Sequence, residues 1–382
     1  MSNKKTPSEE STSYDPDISE LTGLDDMNHD MNHVMNHDMN HDHQKPSSDS
    51  VFGKLVRLFS GAAPEMHDQG RELRRAVRAQ DIEAVRNMIA KGYGVNQSQE
   101  ASLACIAARR ANLDMLKLLV EAGVDINTPD RRSQQSKART PLQEAARKGW
   151  NEGVRLLLDL GADVDACEEG DVTALHIAAR LGHAETVKIL LRHRSDPCGS
   201  KLSITSPLHE TSSLEVAHML IQAGAMVNQR DRSKCTPLHL QAYSGNLDII
   251  KLLLSAGADP SLCDRKGRPP VFLLGGRGDS LPCYELFKSA KTEHSFTHAV
   301  SFQMRDLSEN TIAHSFAHRS NTEELIHEVF RDAPELWRTQ NMSGQTPLDI
   351  LTFRGHDVLR SKIEESLDVY DRTGRISELV LA

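Results

Sequence analysis

Apolar positions in the middle of the chain come in paired blocks. From Leu175 to Leu181 small and apolar residues gather on one helical face, and after a short break Val187, Ile189, Leu190 and Leu191 write a second face at helical spacing. The second pattern returns as Val154, Leu156, Leu157, Leu158 and as Ile249, Ile250, Leu252, Leu253, Leu254. Neither helix of such a pair is long enough to bury a core alone, so each pair needs neighbours. The blocks open alike, on Thr140-Pro141-Leu142, Thr173-Ala174-Leu175-His176, Ser206-Pro207-Leu208-His209 and Thr236-Pro237-Leu238-His239. A hydroxyl can cap the first helical amides, and Pro in the first turn loses no hydrogen bond. Gly161, Gly224 and Gly257 stand where a second helix closes in a left-handed turn. Arg194 takes that place after the block starting at Thr173, which predicts a turn of different shape there.

The starts at 140, 173 and 206 lie 33 residues apart, and the next, at 236, follows after 30. That period belongs to two-helix units stacked into a solenoid. The interval from Ser102 to Thr140 is 38, five over the period, which places extra residues in the loop Asp130 to Arg139. The Ser206 unit is three residues short and lacks the Gly182-His183 step of its neighbour. About one turn of its first helix is missing, which predicts a notch in the wall of the array.

Thr-Pro-Leu-His, the Ala178-Ala179 pair, Gly182-His183, the Val-x-x-Leu-Leu run and the closing Gly161-Ala162-Asp163 and Gly257-Ala258-Asp259 together resemble the ankyrin repeat family. The likeness is strongest from Ser102 to Gly267. It implies an all-α ankyrin-repeat solenoid of stacked helix-turn-helix units that binds other proteins, with no cofactor and no catalytic chemistry. The expected organisation is a disordered acidic tail over 1–50, a short amphipathic helix over 51–62, and ankyrin repeats over 71–268, of which 71–101 form a degenerate cap. Degenerate ankyrin-like repeats then fill 269–365, and a tail fills 366–382.

Composition narrows the picture. Aromatic residues make up only 4%, as expected of short helices packed through Ala and Leu. The six cysteines have no Cys-x-x-Cys spacing, which argues against a zinc finger or disulfide framework. No apolar stretch approaches the roughly 20 residues of a membrane span, and the expected location is cytoplasmic, nuclear or both. The net charge is -9, but residues 1–50 hold eleven acidic residues against Lys4, Lys5 and Lys45, leaving the remainder near -1. Direct nucleic-acid binding is therefore not expected.

Within that tail Met27, His29, Met31, His33, Met35, His37, Met39, His41 and His43 recur in a Met-Asn-His tetrapeptide. Thioethers and imidazoles suit copper or zinc, so a rival reading makes this tract a metal-responsive or metal-buffering element. The other reading is an expanded, solvated tetrapeptide without fixed geometry. Phe52, Leu55, Val56 and Phe59 share one helical face, which could cover the apolar side of the first unit or meet a partner or membrane surface.

Seven residues after successive unit starts lie Arg78, Arg109, Arg147 and Arg180. Matching positions in stacked units form a row, and the resemblance puts that row beside the concave binding surface. A line of guanidiniums suits carboxylates or phosphates, and a solvated face is the alternative. The acidic residues 1–50 are an intramolecular candidate for it. Trp150 and Tyr243 are read as exposed rings beside the row, of the kind that anchors interfaces, or as packing between units. Arg131, Arg132, Lys137 and Arg139 make the long loop basic. His314 and His318 have helical metal-ligand spacing, but His314 also occupies the Thr-Pro-Leu-His position, where the family uses His for structure. Arg277-Gly278-Asp279 and Gly275, Gly276, Gly278 lack the context of an adhesion site or a phosphate loop.

Overall fold

A hydroxyl starts nearly every unit as its sequence predicts. In the computed structural model, which describes residues 69–96, 102–130, 138–167, 171–199, 205–275, 280–289, 304–319 and 323–374, Thr140 Oγ1 accepts from the Gln143 amide while Gln143 Oε1 accepts from the Thr140 amide. Thr173, Ser206, Thr236, Thr311 and Thr346 make the same reciprocal box with His176, His209, His239, His314 and Asp349. Ser102 caps more simply, accepting from the Cys105 amide.

Nine helical pairs result among the described residues. The first joins a helix over 69–79 (α1) to Ile82–Ala90 (α2). Then come Leu103–Arg110 (α3) with Leu113–Glu121 (α4), Pro141–Lys148 (α5) with Asn151–Asp159 (α6), and Ala174–Arg180 (α7) with Ala184–Arg192 (α8). Pro207–Glu210 (α9) pairs with Leu214–Gln222 (α10), and Pro237–Ser244 (α11) with Leu247–Ser255 (α12). A 3-10 turn, Pro270–Leu273, pairs with Leu281–Ser289 (α13), and Ile312–Ala317 (α14) with Glu323–Asp332 (α15). A second 3-10 turn, Pro334–Arg338, leads to Pro347–Phe353 (α16) and Asp357–Thr373 (α17). First helices stack on first helices and second on second, as the contacts of α3 with α5, α5 with α7 and α6 with α8 show. The array is an all-α solenoid of stacked helix-turn-helix units, and no strand occurs among the described residues.

The fourth residue of each unit carries the thread between units. His176 Nε2 donates to Thr205 O at 2.9 Å, His209 to Cys235 O at 3.1 Å, His239 to Arg268 O at 3.1 Å and His314 to Gln345 O at 3.0 Å. Each acceptor lies just before the next unit's first helix. Gln143 performs the same service, donating to Val172 O at 2.8 Å, and the Cys105 thiol reaches Arg139 O at 3.2 Å. Burial pushes that thiol up to about 12, so it keeps its proton and remains a donor. In the last described unit the place belongs to Asp349, which caps its own helix through Thr346.

Between the layers lies a continuous core that includes Leu142, Ala145, Val154, Leu157, Leu175, Ala178, Val187 and Leu190, all buried. Rings enter it at one end. Phe272, Tyr284, Phe287, Phe316, Phe330 and Trp337 are fully buried, with Tyr284 edge-on to Phe316 at 6.2 Å. The later units thus fill their layers with rings, where the composition suggested Ala and Leu.

Hairpins join the pairs. Asp231 N donates to Cys235 O, Asp264 N to Arg268 O, Asp306 N to Asn310 O and Asn341 N to Gln345 O, each pair four residues apart. In the long interval the same bond runs from Asp130 N to Arg139 O at 2.9 Å, nine residues apart. The five extra residues therefore lie wholly within the hairpin. Arg131, Arg132 and Lys137 fall outside the described residues, as do residues 1–50, with the Met/His tract, and 51–62.

Two departures resolve differently. The short unit indeed has a four-residue first helix, α9, and Gln241 of the next unit fills the gap by donating to Thr211 O at 3.0 Å. The expected change of turn shape at Arg194 is not found. Arg194 adopts φ +66°, with the bonds Arg194 N to Leu191 O and Ser195 N to Leu190 O that Gly161 and Ala162 make in their unit. The stack imposes the left-handed turn, and the arginine bears the strain.

Candidate functional site

The first helices α3, α5 and α7 each carry an arginine in the last turn, which their inward-turned apolar faces leave at the rim. Arg109, Arg147 and Arg180 occupy matching places there, half-exposed or exposed, and Arg78 holds that place in α1. The row is present, but carboxylates are set into it. Arg109 Nη2 lies 3.0 Å from Asp130 and 3.2 Å from Glu144, Arg147 Nε lies 3.0 Å from Glu144, and Arg139 Nη1 lies 3.6 Å from Glu144. Arg180 repeats the theme with Glu210 at 3.5 Å.

A rule of position explains the pattern. Glu144 and Glu210 are the fifth residues of their units, where other units have Ile106, Ile177 and Leu240. An arginine at the eighth position of one unit meets the fifth position of the next, so Arg109 faces Glu144 and Arg180 faces Glu210. The unit after Arg147 has Ile177 at the fifth position, and Arg147 pairs with Glu144 in its own helix.

The Glu144 side chain is 3% exposed. Burial pushes its carboxyl up, but the Arg147 hydrogen bond and the charges of Arg109, Arg147 and Arg139 outweigh that and hold it below the usual carboxylate range. Asp130 goes the other way, raised by burial despite the Arg109 charge and bond, with Arg78 close enough to act on it. Four guanidiniums thus gather around two buried carboxylates. The carboxylates fix the arginines in place, and the cluster keeps a surplus of positive charge with donors turned to solvent.

Two expected site residues belong to packing. Trp150 is half-buried and lies over Gly153 so closely that a Cβ there would stand 2.0 Å from the ring. Tyr243 is buried against Cys235 and Leu273, with the Arg319 guanidinium 5.9 Å from its ring centroid. Tyr243 is covered by Leu273 of the next unit, and Trp150 packs over the start of its own second helix. Arg139 does join the cluster, through its side chain and through its backbone bond with Asp130. Glu144 and Glu210 escaped the sequence reading, although a glutamate at a position otherwise apolar was the available signal.

His314 spends both ring nitrogens on Thr311 and Gln345, so the His314 and His318 pair is not a metal site. Among the described residues no group of three or more His, Cys, Asp or Glu side chains could hold a metal ion, and no helix is long and apolar enough to cross a membrane.

Residues 73–166 and 128–201 match the family described as ankyrin repeats in three copies, and residues 233–265 match the single ankyrin repeat. The chain is 32% identical over 146 residues to human inversin, covering 37% of this chain and 14% of inversin. It is 30% identical over 197 residues to ankyrin repeat protein nuc-2 of Neurospora crassa, covering 49% of this chain and 17% of that one. The chain thus spans less than a fifth of the length of these two relatives. Among solved structures, the ankyrin repeat domain of Bcl-3, a member of the IkappaB protein family, is 27% identical with a TM-score of 0.46, covering 53% of this chain and 93% of that domain.

Proposed function

Since the chain is an ankyrin-repeat protein, we propose that its row of first-helix arginines is the docking face for an acidic or phosphorylated segment of a partner protein. The ankyrin array makes the chain a protein-interaction scaffold. The finer reading is a cytoplasmic or nuclear adaptor, in signalling or as a transcription coregulator, that acts by binding alone.

One observation carries it. Arg109, Arg139 and Arg147 are held at 3.0–3.6 Å by Glu144, with Arg109 also on Asp130, so the guanidiniums are preorganised while still reaching solvent. Ordering them beforehand lowers the entropy lost when a carboxylate or phosphate arrives, and planar forks suit both anions. The acidic residues 1–50 are the intramolecular competitor for the same face.

The test captures partners from lysate on wild-type chain beside the triple variant Arg109→Gln, Arg147→Gln, Arg180→Gln. Gln keeps hydrogen-bond donors and places no new charge beside Glu144. Captured segments, made as phosphorylated and unphosphorylated peptides, should bind the variant about tenfold more weakly and with a shallower salt dependence. Deleting residues 1–50 should strengthen binding. Equal affinity and equal salt dependence in the triple variant would remove the arginine row from the function.

A further inference from the structure

A second surface lies on the hairpin tips of the later units, which follow the units of the arginine row along the chain. The second residue of four successive hairpins is Arg232, Arg265, Leu307 and Met342. Their turns are bonded tip to tip: Arg265 N donates to Ser233 O at 2.8 Å, Leu307 N to Lys266 O at 2.8 Å and Met342 N to Ser308 O at 3.0 Å. Gly267 lets the middle tips close up, since a Cβ there would stand 3.0 Å from Leu307 N.

The tips are graded along the row. The first two are basic, with Arg232, Lys234, Arg265 and Lys266 all exposed. Their acidic residues point inward: Asp231 and Asp264 are buried, accepting from the backbone amides of Cys235 and of Lys266 and Arg268 respectively. The next two tips are apolar, with Leu307 70% and Met342 73% exposed. These two tips are bonded neighbours, so Leu307 and Met342 form an adjacent apolar pair rather than scattered single residues, and adjacent exposed apolar side chains mark interaction sites.

We propose that this edge binds one extended partner peptide with acidic residues at one end and apolar residues at the other. Adjacent layers are about 10 Å apart, and an extended peptide in the polyproline II conformation advances about 3.1 Å per residue with three residues per turn, which brings every third side chain to the same face. One peptide side chain in three therefore meets a tip. The recognised pattern is two acidic residues three apart, followed or preceded at the same interval by two apolar ones. Charge complementarity selects the acidic end, and the neighbouring Leu307 and Met342 select the apolar end.

The surface is independent of the arginine row, and the test keeps the two apart. A display library of random 16-residue peptides is selected on the full-length chain, and the enriched peptides are measured by fluorescence anisotropy. Enrichment of the graded pattern is expected. Arg232→Gln with Arg265→Gln should weaken such a peptide about tenfold and flatten its salt dependence. Leu307→Gln with Met342→Gln should weaken it several-fold and leave the salt dependence intact. Circular dichroism checks that these surface variants fold, and the triple variant of the helix row should bind the peptide as wild type does. Enriched peptides without that order, affinity unchanged in both tip variants, or loss only in the helix-row variant would each overturn the proposal. So would tip-dependent binding of phosphatidylserine vesicles with no graded peptide enriched, which would make the edge a lipid-facing one.

Discussion

Acid should loosen this array through the histidines that thread it. The His239 ring accepts from the Thr236 amide on Nδ1 at 3.0 Å and donates from Nε2 to Arg268 O at 3.1 Å, so the neutral tautomer satisfies both ends. A proton on Nδ1 would set a donor against a donor. Burial accordingly lowers His239 to about 4, and His209, built alike, to about 4 as well. In the unfolded chain both titrate near 6.5. Between about pH 6.5 and 4 the unfolded state binds protons that the folded state refuses, so their stabilisation is complete above that window and lost as pH falls through it. Each ring is worth about 3 kcal/mol across the window, at about 1.4 kcal/mol per pH unit. Asp231 opposes them: burial raises it to about 6, so its folded form holds a proton that the unfolded form has released. The offset is also about 3 kcal/mol, which leaves a net loss of about 3 kcal/mol for the three groups.

The His239→Gln variant isolates one ring. Gln143 already does this work in its own unit, accepting from Thr140 N and donating to Val172 O, so the substitution keeps both bonds and removes the titration. Urea unfolding followed by circular dichroism at pH 7.0, 5.5 and 4.5 reads the difference. The variant should match wild type within about 1 kcal/mol at pH 7.0 and lose about 2.5 kcal/mol less by pH 4.5. Identical losses in the two proteins would refute the claim that the buried imidazole is the acid-sensitive element.

Three further outcomes test other parts of the structure. Glu144→Ala strands three arginines and should cost about 2 kcal/mol in urea unfolding, with Glu144→Gln recovering part of it. Gly153→Ala sets a methyl 2.0 Å from the Trp150 ring and should lower the melting temperature and quench or shift the tryptophan emission assigned to Trp150, whereas Ala at solvent-facing Gly161 should leave that emission unchanged. Arg194→Gly relieves a left-handed arginine and should stabilise the chain by up to about 1 kcal/mol in the same urea assay.

What could be read beforehand was what neighbouring residues decide. Thr-Pro-Leu-His writes a helix start with its cap, and the 33-residue spacing of those starts writes the stack. The arginine row followed because identical positions in a repeat must line up. For Tyr243 and Trp150 the sequence left an exposed ring and a packed one both open: Tyr243 is settled by Leu273 in the next unit, outside any local pattern, and Trp150 by Gly153, three residues on, whose missing side chain makes room for the ring. The carboxylates among the arginines were missed for a similar reason: Glu144 meets Arg109 across a unit boundary, 35 residues away. Arg194 shows the converse, a local preference overruled by the layers on either side.

The bond between Asp130 and Arg139 closes a stem of ordinary shape before the long loop departs from it. Whatever is inserted between those two residues, the helices on both sides meet the same geometry. The array therefore has a built-in socket: a tag, a fluorophore or a foreign binding loop grafted between 130 and 139 can change what the molecule displays and leave its scaffold as it was.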